Sequence, residues 1–179
     1  STTSEKYNRD LPEGRHGGDI KGIIQHLDYI KSLGATTIWS TPLCEDNESE
    51  YSYHGYAQSD VYKIDPRYGT TEDYICFVEK AHQLGLKIIM DYVTNHWGIE
   101  HWMVKDSPTA DWIHRFENYT ETNHKRSTVS DISASKIDRM ICLNGWFVPT
   151  MPDLNITNPL VCISLRQNAM WWIVFAMMG

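Results

Sequence analysis

Leu86-Lys-Ile-Ile-Met-Asp-Tyr-Val-Thr-Asn-His96 decides how the rest of the chain is read. Its first half, with Ile88-Ile89-Met90, is a short apolar run of the kind that forms a buried strand. Its second half gathers Asp91, Thr94, Asn95 and His96. Charged groups are rarely buried, so a strand that ends in an acid, an amide and an imidazole is an odd way to build a core. In (β/α) barrels the chemistry sits where strands end and loops begin, and the pattern reads as the edge of a site. The bland alternative is that Asp91 caps a turn and His96 lies in a satisfied loop.

Working outward, the residues before this stretch repeat one unit. Thr70 or Thr71 caps a helix, with Glu72 and Asp73 in the first turn, where acids meet the favourable end of the helix dipole. Tyr74, Phe77, Val78, Ala81 and Leu84 form its buried stripe, and Gly85 ends it. Earlier, Asp19 stands as an N-cap before Ile20, Ile23, Ile24, Leu27, Ile30 and Leu33, with Gly34 at the C-cap. Ala35 to Ser40 is short and β-branched, a strand ended by Thr41-Pro42. Helix, strand, loop, helix, strand implies parallel strands joined by right-handed crossovers. Ser1 to Gly17 reads as a loop. So does Leu43 to Asp60, with Glu45, Asp46, Glu48 and Glu50 as a solvated acidic face ahead of Tyr51-Ser-Tyr-His-Gly-Tyr56. Gly55 lets the backbone turn closely and sets His54 and Tyr56 side by side at the loop tip.

After His96 the repeat stops. His101-Trp102-Met103 and Asp111-Trp112-Ile113 suggest short helical turns, Asn118 to Ser135 is polar, and Gly145 to Val148 suggests a short strand. A structureless loop of this length is uncommon, so residues 97 to about 157 read as a small inserted subdomain. Thr157-Asn158-Pro159 starts a last helix with Pro at its first position. That helix has Val161, Leu165, Ala169, Trp172, Ile173 and Ala176 on one broad face and Gly179 as its stop.

Composition narrows the function. With 41% apolar and 22% charged residues, the 179-residue chain is ordinary for a globular domain. A net charge of -7 argues against a nucleic-acid groove, which needs clustered Lys and Arg. Seven Trp and ten Tyr suit flat sugar faces where they stand in loops, though most aromatics are core. Cys44, Cys76, Cys142 and Cys162 show neither a CxxC pair nor zinc spacing and read as free thiols. No apolar run reaches the ~20 residues of a membrane span. A start at Ser1, without Met, leaves the compartment open. Neither a phosphate-binding glycine loop nor a GxSxG elbow is present.

Several motifs, taken together, resemble the α-amylase superfamily, glycoside hydrolase family 13. Met90-Asp-Tyr-Val-Thr-Asn-His96 resembles its third-strand motif, and Gly34 to Pro42 its second-strand motif. Tyr53-His-Gly-Tyr56, with Asp60 and Ile64-Asp-Pro-Arg-Tyr-Gly69, is similar to the loop that carries its aromatic platform. Met151-Pro-Asp-Leu-Asn155 resembles the motif closing its inserted B domain, and its Met, with Arg15 to Gly22, leans towards the neopullulanase and cyclomaltodextrinase branch. The resemblance implies an α/β fold, a partial (β/α)8 TIM barrel holding about strands 2–3 and helices 1–3. Residues 1–96 would be barrel, 97–155 the B domain and 156–179 the third barrel helix.

It also implies roles. Tyr56 would stack on the sugar just before the cleaved bond, and His54 and His96 would hydrogen-bond its hydroxyls. Asp91 would be the supporting acid at the strand end. Asn95 and Asp153 match positions that bind calcium in many members, although the neopullulanase branch does not always keep that site. The ligand would be an α-1,4-glucan oligosaccharide such as a maltooligosaccharide, cyclodextrin, pullulan or starch segment.

A retaining glycosidase needs two carboxylates about 5 Å apart. In this family they belong to the fourth and fifth strands, and the Gly-x-Arg-x-Asp motif of the fourth is absent from residues 1–179; Val174 also stands where an acid is usual. A full barrel takes roughly 250 residues. The expectation is therefore a piece of a larger enzyme, inactive alone, whose exposed faces on Leu160 to Met178 invite self-association or the remainder of the parent enzyme. The alternative is a non-catalytic maltooligosaccharide-binding module. A standalone hydrolase using Asp91 and Asp153 is disfavoured, since nothing in the spacing brings them together.

Overall fold

The structure is a computed structural model that describes residues 10–12, 14–49, 51–126 and 130–174. Readings that fall on Ser1 to Arg9, Glu50, Ala176 and Gly179 lie outside the described residues. In chain order the elements are α1 (Ile20–Gln25), α2 (Leu27–Ser32), β1 (Thr37–Trp39), β2 (Cys44–Glu45) and β3 (Asp60–Ile64). Then come α3 (Thr71–Gln83), β4 (Lys87–Ile89), α4 (Trp102–Lys105), α5 (Lys136–Asn144) and α6 (Pro159–Trp172).

The expected unit is present. β1 and β4 pair in parallel, with Thr37 opposite Lys87, Ile38 opposite Ile88 and Trp39 opposite Ile89. Side chains alternate between the faces of a strand. Ile38 and Ile88 therefore pack into the core beside α1 and α3, while Trp39 and Ile89 stand on the other face at 69% and 48% exposure. α3 begins with a capping box: Thr70 accepts from the Asp73 main chain, and the Asp73 carboxylate accepts from the Thr70 N–H. Tyr74, Phe77, Val78 and Ala81 are its buried stripe.

The first helix differs from its reading. Asp19 does cap it, accepting from Gly22 N at 2.6 Å. At His26, however, the backbone leaves helical geometry and the ring meets the Gly22 carbonyl at 2.7 Å, which splits one expected helix into α1 and α2. α6 starts at Asn158 and Pro159 as expected, but its buried face is Val161, Leu165, Asn168 and Trp172, and Ile173 is exposed.

The region from Leu43 to Ile64 is more ordered than a loop. β2 and β3 form an antiparallel pair, with Cys44 opposite Ile64. The acidic face is not solvated either. Asp46 is 1% exposed and Glu48 is buried; Glu45 pairs with Lys63. In the insertion, α4 matches the reading, Ala110–Asp111 is a turn, and Gly145 to Val148 contributes only a bridge from Trp146 to Glu121. α5, capped by Ser135, was not anticipated.

Two hydrophobic clusters result. The first joins α1, α3, Ile64, Leu86 and Trp172; the second joins Val61, Trp97, Val104, Trp112, Ile113 and Leu154 to Val161 and Leu165. β3 and α6 belong to both, and their contact is a shared acceptor. The Val61 carbonyl takes bonds from Asn168 Nδ2 at 2.9 Å and Trp172 Nε1 at 2.8 Å. All four cysteines are free thiols. No helix among the described residues is long and apolar enough to cross a membrane.

Candidate functional site

The loop after β2 carries Tyr56 and His54, and its shape is dictated from below. A 3-10 turn, Ser52–His54, is bounded by Tyr51 and Gly55, both left-handed. Gly55, at φ 78°, also passes so close to Pro42 that a Cβ would lie 2.7 Å from its carbonyl oxygen. Only glycine meets both demands.

Underneath, the Asp46 carboxylate accepts from the main chain of Glu48 and Ala57 and lies 3.8 Å from His54 Nδ1. Burial pushes Asp46 up to about 7 despite those bonds. Arg67 donates to the Asp46 carbonyl at 2.6 Å, to Ser52 Oγ at 2.9 Å and to both carboxylate oxygens of Asp65. Arg15 donates to the Ser52 carbonyl and lies 4.3 Å from the Tyr68 ring centre. A buried ionic network thus replaces the solvated face that the acids suggested. Its sequence signals are Asp65-Pro-Arg67, embedded in the loop motif, and Arg15 at the head of the Arg15 to Gly22 motif.

Above this base His54 Nδ1 accepts from Tyr56 N at 2.9 Å, which leaves its proton on Nε2. The His54 and Tyr56 rings are 5.8 Å apart, side by side as expected. Burial lowers His54. Tyr56 then spans to the end of β4, where its hydroxyl donates to Asp91 Oδ2 at 3.3 Å. Partial desolvation and the adjacent carboxylate both raise the phenol.

His96 is placed differently from Tyr56. It is buried, bonded to Asn95 Nδ2 at 3.2 Å, and stacked on Phe147 at 5.7 Å and 18°. Burial lowers it to about 4, with the Tyr56 main chain pulling the other way, so the ring is neutral at neutral pH. Phe147, which sequence reasoning did not single out, also stacks on His124. It lines two cavities: one of about 490 Å³ bordered by Tyr51, His54 and Met151, and one of about 300 Å³ bordered by Asn95, His96 and Asp153.

Asn95 and Asp153 share the walls of that smaller cavity and of a neighbouring one. Their donor set does not suit calcium. Calcium takes six to eight oxygens, and tight sites add carboxylates. Asp153 is the one carboxylate along both walls, and its Oδ2 already receives His114 Nδ1 at 2.7 Å. Among the described residues no group of three or more His, Cys, Asp or Glu side chains could hold a metal. His114 is the second residue that sequence reasoning missed, although it directly follows the quoted Asp111-Trp112-Ile113.

Comparison with known proteins agrees with this geometry. The family described as alpha amylase, catalytic domain, matches residues 3–179. Alpha-amylase 3 of Dictyoglomus thermophilum is 35% identical over 162 residues, which is 90% of this chain and 31% of that protein. A cyclomaltodextrinase of Geobacillus thermopakistaniensis is 33% identical over 171 residues, 90% of this chain and 26% of that protein. The α-amylase of Geobacillus thermoleovorans, solved with acarbose, superposes with a TM-score of 0.73 at 35% identity, covering 97% of this chain and 36% of that one. The chain spans about a third or less of the length of these relatives. Its fold is part of a TIM barrel.

Proposed function

The chain belongs to the alpha-amylase catalytic-domain family, and on that premise we propose that residues 1–179 form the sugar-holding wall of an α-glucan cleft in a glycoside hydrolase. Its relatives hydrolyse α-glucosidic bonds, as names such as alpha-amylase, cyclomaltodextrinase and oligo-1,6-glucosidase state. The observation that carries the reading is the Tyr56–Asp91 contact at 3.3 Å. It joins an exposed ring to a strand-end carboxylate across two loops, beside His54, whose Nε2 carries the proton. A pyranose stacked on Tyr56 would meet acceptor and donor groups at its hydroxyl edge, which is how flat apolar faces and fixed polar groups divide sugar recognition.

In this reading Asp91 orients its neighbours and accepts from a sugar hydroxyl in place of the tyrosine. His96, neutral and walled in by Phe147, contributes one ring nitrogen. Residues 1–96 act as barrel, 97–155 as the insertion that closes over the site and 156–179 as the next barrel helix. In this reading residues 1–179 taken alone are inactive, because the fourth-strand Gly-x-Arg-x-Asp motif, which would carry one carboxylate of the retaining pair, is absent from their sequence. The open sheet face with Trp39 and Ile89 is where further barrel strands pack.

Titration calorimetry with maltoheptaose tests the binding half. Heat of binding that vanishes in Tyr56→Ala supports it, and equal binding by the variant refutes the platform. Reducing-sugar release from cyclodextrin, pullulan and soluble starch tests the rest. Release that survives repurification would place a catalytic pair within residues 1–179, with Asp91 the first suspect.

A further inference from the structure

We infer that His114 takes the place of a metal ion, and that the insertion is fastened to the end of β4 by a histidine–carboxylate clasp that needs no calcium. Asp153 is 4% exposed and sits where the chain returns from the insertion. Its backbone bridges that of His96, and the next residue, Leu154, donates to the Asn95 carbonyl at 3.0 Å. The returning chain is therefore already laid along the strand-end turn. A buried carboxylate at that point must be satisfied by a cation or by strong donors.

His114 meets the requirement twice. Its ring Nδ1 lies 2.7 Å from Asp153 Oδ2, and its main-chain N–H donates to the Asp153 carbonyl at 3.0 Å. The histidine is itself held, since Trp146 Nε1 donates to its carbonyl at 2.6 Å. On either side, Ile113 bridges Leu154, and Asn155 donates to the Asp111 carbonyl at 3.0 Å. The imidazole thus ties the middle of the insertion to its closing segment, whose own backbone is laid along the strand end, and the three are joined as a bridging ion would join them.

The surroundings argue for the nitrogen over the metal. The other polar residues lining the two shared cavities are Thr94, Thr122, Thr157, Asn95, Asn144, His96, His124 and Cys142. Neutral oxygens and a single carboxylate leave a divalent hard cation with one compensating charge. A site of that kind lies at or below the weak end of known calcium modules. The His114 ring also already occupies one lone-pair direction of Asp153, the one carboxylate among the described residues lining the two cavities.

Three measurements on the chain decide between clasp and metal. The melting temperature of the unaltered protein should be the same in EDTA and in calcium at about 10 mM, roughly ten times the dissociation constant of the weakest calcium modules. Terbium luminescence sensitised by Trp112, two residues before His114, and by Trp146, which donates to the His114 carbonyl, should not saturate. His114→Ala should melt several degrees lower in EDTA, and His114→Asn, which leaves Asp153 free and adds an oxygen, should recover part of that loss only when calcium is present. A calcium-dependent rise in the melting temperature of the unaltered protein, or saturable terbium binding to it, overturns the inference even if neither variant folds. So does a His114→Ala variant as stable as its parent.

Discussion

Replacing Gly98 with alanine tests whether the loop bearing Tyr56 and the chain leaving His96 are one mechanical unit. Gly98 N donates to the Gln58 carbonyl at 2.8 Å, and at that approach a Cβ would lie 2.3 Å from the Ala57 carbonyl oxygen and 2.7 Å from its carbon. Both are main-chain atoms, so no flexible side chain can swing away. Ordinary contact begins near 3.4 Å, and the two backbones must part by about 1 Å. Overpacking of this kind costs about 1–3 kcal/mol, and loss of the Gly98–Gln58 bond adds about 1 kcal/mol. The total of roughly 2–4 kcal/mol lowers the melting temperature by roughly 4–16 °C in a chain of this length. Ala57 is also held by Asp46 and adjoins Tyr56. The same displacement therefore lengthens the Tyr56–Asp91 contact and weakens maltoheptaose binding along with stability. Gly18→Ala is the control, because its φ of 88° is left-handed but nothing lies within 4 Å of the added methyl. It should cost only the backbone strain of about 1–2 kcal/mol and leave sugar binding unchanged. Urea unfolding of both variants reads the difference. If Gly98→Ala is as stable as the parent, or less costly than Gly18→Ala, the close approach is not real and the coupling argument fails.

Three other variants probe the scaffold. His101 is fully buried, its Nδ1 accepts from Met103 N, and burial lowers its pKa to about 3. The unfolded chain takes up this proton below pH 6.5 and the folded chain does not, so stability falls as the pH drops from 6.5 towards 3. His101→Phe, which keeps the stack on Trp97, should gain about 2–3 kcal/mol on its parent between pH 7 and pH 4.5; parallel stability curves would exclude the buried neutral ring. Trp172→Phe removes one of two donors to the Val61 carbonyl but leaves Asn168 in place. It should cost only about 1–2 kcal/mol by denaturant titration, and a loss as large as that of a buried Trp→Ala change would show that the indole does more. Thr70→Ala opens the capping box of α3 and should cost about 1 kcal/mol, with sugar binding unchanged by calorimetry.

How far the sequence could be read depended on what each residue answers to. Asp19 was legible as a cap, Thr70 as one of two candidates with Thr71, and Thr157-Asn158-Pro159 as a helix start, because capping is a local bargain between a side chain and the next turn; the structure shows Asp19, Thr70 and Asn158 each accepting a main-chain N–H. The strand before Asp91 was legible from an apolar run followed by polar residues. The split at His26 was not, because a side chain that bonds back to Gly22 leaves the apolar period unchanged. β2 was not, because two residues are too few to carry a period, and its pairing with β3 is decided by a chain segment fifteen residues away or more. The acids were misread for the same reason. Asp46 and Glu48 look like solvent-facing charge until main-chain donors from Ala57 and Glu100, which sequence proximity does not reveal, are brought to them.

The candidate site divides along the same line. Tyr56, His54, Asp91 and His96 could be named from their motifs, but whether they meet depends on two hydrophobic clusters holding a fixed relation. Tyr56 hangs from the β2–β3 pair, whose Ile64 belongs to one cluster and whose Val61 belongs to the other. Asp91 follows β4, in contact with the first cluster through Ile88 and Met90. His96 is backed by Phe147 from the insertion, whose Trp112, Ile113 and Leu154 pack in the second. What locks the clusters together is polar and narrow: Asn168 and Trp172 on one carbonyl of β3, and Tyr92, just past Asp91, donating to the Leu165 carbonyl of α6 at 2.7 Å. α6 is thus the brace of the site although it contributes no residue to it. A substitution that loosens α6 should change sugar affinity and stability together, whereas one that trims Tyr56 should change affinity alone.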